Sequence, residues 1–166
     1  MIRKASIPAQ RVEQNGPGTD VAFTIGPLIG RVRSVLLTTL DGELQPFGLT
    51  GMQFAILKIL SDEAAGTAAD LSRLLHYDTG SMTRLLDRLE DKGLIRRERS
   101  KDDRRVVALC VTRAGRAAMP RLRDSAARAV QRMLTGFSAT EINELRRFLE
   151  RMIENGLPGH GAYQGG

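Results

Sequence analysis

The densest chemistry in the chain is the run 96–105, RRERSKDDRR, in which six bases and three acids share ten residues. Just upstream lie Ser81, Thr83, Arg84 and Arg88. A guanidinium donates paired hydrogen bonds to phosphate oxygens or to the guanine edge, and Ser or Thr hydroxyls bond bases or phosphates. The chemistry these residue types suit is recognition of a polyanion. The wider charge distribution agrees. From 35 to 75 there are two bases and five acids, and from 76 to 118 eleven bases and seven acids, within a total charge of +6. A basic segment beside an acidic one is what a single polyanion-facing surface requires. A solvated surface laced with ion pairs, such as Arg84 with Asp87 and Arg88 with Asp91, accounts for the same residues.

Other chemistries find little material. There is no Gly-x-Ser-x-Gly, His-Glu-x-x-His, P-loop or dinucleotide fingerprint, and the acids form no evident pair, so an enzyme is not expected. One cysteine, Cys110, and two histidines, His76 and His160, exclude an intrachain disulfide and a structural zinc site. No cofactor or metal is expected. Five Phe, two Tyr and no Trp are too few rings for a stacking platform that reads single strands. No apolar run approaches the ~18–20 residues of a membrane span, and the basic N-terminus lacks the apolar core of a secretory signal. A reducing, cytoplasmic setting without membrane contact follows as the expectation.

The elements that must position the basic residues are legible from spacing. A first helix is expected to open at Pro27, carry Leu28, Val32, Val35, Leu36 and Leu40, and fray near Pro46. Thr50 and Gln53 have the spacing of a capping box, opening a second helix with Phe54, Leu57, Ile59 and Leu60 inward. Gly66 ends that element, and Thr67 can cap a short third helix. Asp78 can cap a fourth, with Met82, Leu85, Leu86 and Leu89 on its core stripe and Ser81, Thr83, Arg84, Asp87, Arg88 and Asp91 opposite. Gly93 is its natural stop.

The period then changes. Residues 94–100 can pair with the β-branched run 106–111 around the polar link 101–105, giving a β-hairpin with a charged tip. Thr112 can cap a long helix toward Thr135, with a possible kink at Pro120. Ser138 to Glu141 is another capping box, opening a helix with Ile142, Leu145, Leu149, Met152 and Ile153 on one side. Two short helices, a tight link, a helix with a basic outer face and then a hairpin form a winged helix-turn-helix. Such a helix fits the major groove of duplex DNA, and an arginine at the hairpin tip can enter the minor groove. The expected class is mainly α with a small β-hairpin wing.

The run 78–112 closely resembles the MarR family of bacterial transcription regulators. The matching pieces are Thr83-Arg84, Leu89-Glu90, Lys92-Gly93-Leu94-Ile95, Asp103-Arg104-Arg105 and the closing Thr112-x-x-Gly115, with Leu49-Thr50 and Gln53 upstream. The resemblance spans about 23–155. It implies a winged lobe at about 48–112 and dimerisation helices at about 27–46 and 113–155, all within a domain at 23–156. Residues 1–22 read as a flexible arm and 157–166 as a disordered tail. The resemblance further implies a homodimer on a pseudo-palindromic duplex DNA operator, often released by a small aromatic or phenolic effector. A constitutive or architectural DNA-binding protein without an effector is the alternative.

Carried over by position, Ser81, Thr83, Arg84 and Arg88 lie on the recognition helix. Arg105 matches the wing arginine of the minor groove, Asp103 the acid that braces it, and Arg104 a phosphate contact. Thr83 equally suits helix packing. Cys110 reads as a small core residue, and His76 as a structural residue or a phosphate contact. Met52 and Phe54, near the junction of lobe and dimer helices, are candidates to line an effector cavity. The chain has neither the cysteine near the first helix of the peroxide-sensing branch nor the tryptophan of the urate-sensing branch.

Overall fold

The computed structural model describes residues 19–62, 66–99 and 106–156, with the side chains of 19–22 excepted. Helix α1 spans Thr19–Leu44. It therefore begins upstream of the expected start at Pro27, and Pro27 lies inside it. A proline there has no N–H to give to the carbonyl of Phe23. That turn is exposed, so water can serve the carbonyl, and Thr19 and Asp20 are residue types that open helices. Part of the expected arm is thus helical, and 1–18 lie outside the described residues, as does the expected tail.

A 3-10 turn, Gln45–Phe47, follows with Pro46 in it, and Gly48 at φ +64 reverses the chain. Helix α2 covers Gly51–Ser61 and opens on the complete capping box, with the Gln53 N–H donating to Thr50 Oγ1 and the Thr50 N–H to Gln53 Oε1. Helix α2 stops at Ser61, ahead of Gly66. Helix α3, Ala68–Leu75, is capped by Thr67, and α4, Thr79–Asp91, by Asp78. Gly93, at φ +66, lets the chain turn from α4 into the hairpin.

Strands β1, Ile95–Arg99, and β2, Val107–Val111, are antiparallel in a register that sets Ile95 opposite Val111 and Arg97 opposite Leu109. The Leu109 N–H also donates to the Gly66 carbonyl, tying the hairpin to the segment before α3. Helix α5, Arg113–Met133, runs through Pro120, and α6 is Ala139–Gly156, opened by the expected Ser138–Glu141 box.

The core lies where α2, α3, α4, β1 and the inner sides of α1 and α5 meet. Leu44, Ile56, Leu57, Leu71, Met82, Leu86, Leu89, Ile95 and Leu122 are fully enclosed there. Three of the four expected stripe residues of α4 are buried, and Leu85 is half-buried against them. Close backbone approach fixes one junction. A Cβ on Gly115 would lie 2.3 Å from the Leu94 carbonyl oxygen and 2.7 Å from Val111 Cγ1. Thr112 completes that corner by donating to the Gly93 carbonyl at 2.7 Å and accepting from the Gly115 N–H.

Candidate nucleic-acid interface

The turn between α3 and α4 is short because His76 adopts a left-handed conformation, φ 52, and ends α3. Its N–H reaches the Arg73 carbonyl, and that of Tyr77 the Ser72 carbonyl. This is the geometry glycine usually supplies at a helix end. Two residues later the Asp78 carboxylate accepts from the Ser81 N–H at 2.8 Å. Backbone and side-chain bonds from Ser81 hold the Asp78 carboxyl below its ordinary range. The cap starts α4 at the point where its first turns are solvent-facing.

Burial of Met82, Leu86 and Leu89 leaves the opposite side of α4 free. Thr83, Arg84 and Arg88 are exposed and Ser81 is half-buried. Thr83 is exposed in the single chain, and its hydroxyl donates to the Thr79 carbonyl at 2.8 Å. Arg84 donates to Ser81 Oγ at 3.3 Å, so the two face the same way. Among the described residues Arg88 has no ion-pair partner. Asp87 turns instead to Arg97 on β1, at 2.7 Å. Arg97 also bonds Glu90 through its guanidinium and through its backbone N–H. Nothing in the spacing of the sequence singles out Arg97 from its neighbours.

The hairpin tip carrying Asp103, Arg104 and Arg105 lies outside the described residues. At its base Arg96 pairs with Glu98 at 2.6 Å. Cys110 on β2 is half-buried with its thiol 3.4 Å from Glu98 Oε2; burial first, then Glu98, pushes its pKa up, which disfavours the reactive thiolate.

Met52 is half-buried on α2, while Phe54 fills the core. A groove of about 380 Å³ lies elsewhere, lined by Ser61, Arg116, Met119, Pro120, Arg123 and Asp124. Among the described residues no cluster of His, Cys, Asp or Glu is placed to hold a metal. No described helix is long and apolar enough to cross a membrane.

The sequence profile of the MarR family matches residues 49–107, the span from the start of α2 into β2. The HTH-type transcriptional repressor Rv2887 of Mycobacterium tuberculosis is 31% identical over 128 residues, covering 77% of this chain and 92% of that protein. The chain belongs to the MarR family. Solved MarR-family folds superpose on it. The transcriptional regulator BldR of Sulfolobus solfataricus gives a TM-score of 0.73 at 25% identity, over 82% of this chain and 96% of that one. A MarR variant of Escherichia coli complexed with operator DNA gives 0.69 at 28% identity, over 78% and 93%. The expected class is therefore the observed one, a mainly helical winged helix-turn-helix protein, and the chain is a transcription regulator and not an enzyme.

Proposed function

We propose that this MarR-family chain is a cytoplasmic repressor that binds a pseudo-palindromic operator in duplex DNA as a homodimer. The carrying observation is the outer face of α4, where Thr83, Arg84 and Arg88 are exposed beside the half-buried Ser81 on a capped helix. A helix so presented can enter the major groove, with arginines reading guanine and hydroxyls serving base or phosphate. The wing supplies Arg105 to the minor groove, Asp103 to brace it and Arg104 to the backbone.

Dimerisation is supported by apolar surface that one chain leaves uncovered. On α6, Leu145, Phe148, Leu149, Met152 and Ile153 are all exposed, and no residue of that helix is buried. Val32 and Val35 of α1 are exposed as well. Two copies that cover these faces place two recognition helices on one duplex, about one helical turn apart.

Release by a small aromatic or phenolic effector completes the proposal, with Met52 and Phe54 on α2 as its lining. One observation favours the second reading, a constitutive DNA-binding protein: Phe54 is committed to the core. The experiment is a binding assay on duplex DNA from upstream of the chain's own gene, with and without a panel of phenolic acids. Binding that a phenolic acid abolishes supports the full proposal. Binding that none of them alters supports the constitutive reading, and no binding to that duplex or any other refutes both.

A further inference from the structure

The recognition helix has a charge problem that its own residues do not solve. Within α4 the two arginines, Arg84 and Arg88, are outnumbered by Asp87, Glu90 and Asp91. At about 100° per residue, Asp87 lies roughly 60° round the helix from Arg84, on the same exposed side. A carboxylate there meets the same phosphates that Arg84 and Arg88 would approach, and repels them. The remedy sits on another element. Arg97 of β1 bonds Asp87 at 2.7 Å and Glu90 through both its guanidinium and its N–H, the latter at 2.9 Å. Its side chain is only 31% exposed, so solvent screens these contacts less than at an open surface.

We infer that Arg97 is a positioning residue for DNA binding, which offsets the net negative charge of the recognition helix and fixes that helix to the first strand of the wing. The inference rests on the reading of α4 as the DNA-facing helix. One side chain performs both tasks because a planar guanidinium has donors enough for two carboxylates, which a lysine ammonium meets only as a point charge. Burial alone would lower the Arg97 pKa, but the bonds to Asp87 and Glu90 outweigh it and raise the value, so the cation persists at every working pH.

The test compares the wild type, Arg97→Gln, the double variant Arg97→Gln/Asp87→Asn, and Arg97→Lys, each on a random-sequence duplex and on the upstream duplex at low salt. Arg97→Gln should weaken binding to the random duplex about tenfold per dimer, because two carboxylates per protomer lose their counter-charge. Adding Asp87→Asn should recover most of that loss, which a purely structural role would not allow. Arg97→Lys keeps the charge and should bind the random duplex more tightly than Arg97→Gln; it also serves if the Gln variant does not fold. Equal binding by wild type and Arg97→Gln, no rescue by Asp87→Asn, or Arg97→Lys as weak as Arg97→Gln would each overturn the role of Arg97 while leaving DNA binding intact. Failure of the wild type on both duplexes would overturn the DNA reading and the inference with it.

Discussion

Two residues show how local chemistry constrains the DNA-facing lobe. Gly115 sits where α5 leaves the wing, with the Leu94 carbonyl and Val111 pressed against its Cα hydrogen side. A methyl group there has no room, so Gly115→Ala should destabilise the fold by ~1–3 kcal/mol, the range for overpacking. A urea titration reads this as a lower midpoint with the slope unchanged. Asp78 is a different case, because its contribution depends on charge. Its carboxyl is held below its ordinary value of 3.8, chiefly by the Ser81 backbone bond. A depressed carboxyl stabilises the folded state above its unfolded value, and that contribution is lost as pH falls through the lower folded value. Asp78→Ala should therefore be less stable than the wild type at neutral pH. The gap should narrow below pH 3.8. Thermal melts of both proteins across that range measure it; a gap that does not change with pH would assign the cap's effect to hydrogen bonding alone.

At the scale of elements, α4 and the wing divide the proposed work. Arg88 projects from the recognition helix without an ion-pair partner among the described residues, so its loss should alter which sequences are preferred. Arg88→Ala should lower the ratio of operator to scrambled binding by ~1–3 kcal/mol per half-site if the contact is bidentate to guanine. Arg105→Ala should weaken operator binding by ~1–3 kcal/mol with the fold unchanged. Arg104, proposed as a backbone contact, should act on all sequences alike. Each phosphate contact contributes roughly −0.9 to the slope of log K against log salt, and a dimer uses each position twice. Arg104→Ala should then reduce the magnitude of that slope by about 2 and leave the operator-to-scrambled ratio nearly constant. Salt titrations of the three variants on both duplexes separate these outcomes.

The whole molecule is organised by what one chain fails to cover. Glu43 of α1 pairs with Arg128 and Arg132 of α5, and Asp62 after α2 with Arg123 of α5, so these helices are tied together within the protomer. Among the described residues α6 has no such ion pair to another helix, and the guanidinium groups of Arg147 and Arg151 lie 5.3 and 5.6 Å from the centre of the exposed Phe148 ring. Apolar residues exposed along both α1 and α6 are the kind of surface that marks an interaction site. We expect an obligate dimer burying well over ~2,000 Å². Light scattering at micromolar concentration should give twice the 18.2 kDa chain mass. Leu149→Glu should shift the protein toward monomer and weaken DNA binding with it; a stable monomer of the wild type would contradict the expectation.

Caps and periodicity are local, and the sequence alone determined them: Thr50, Thr67, Asp78, Thr112 and Ser138 each open the helix expected of them. The core stripe of α4, the hairpin and the winged helix-turn-helix class were legible for the same reason, since each depends on residues within a turn or two or on a short pattern. The start of α1 was not. Pro27 looks like a helix opener by itself, and only a helix already running from Thr19 makes it an interior residue. The partner of Asp87 was not legible either. Sequence proximity favours Arg84, yet the fold of the hairpin against α4 brings Arg97, ten residues away, within 2.7 Å. The same holds for the link from Leu109 to Gly66. Contacts between elements depend on how those elements pack, and the pattern of a single segment does not encode its neighbour's position.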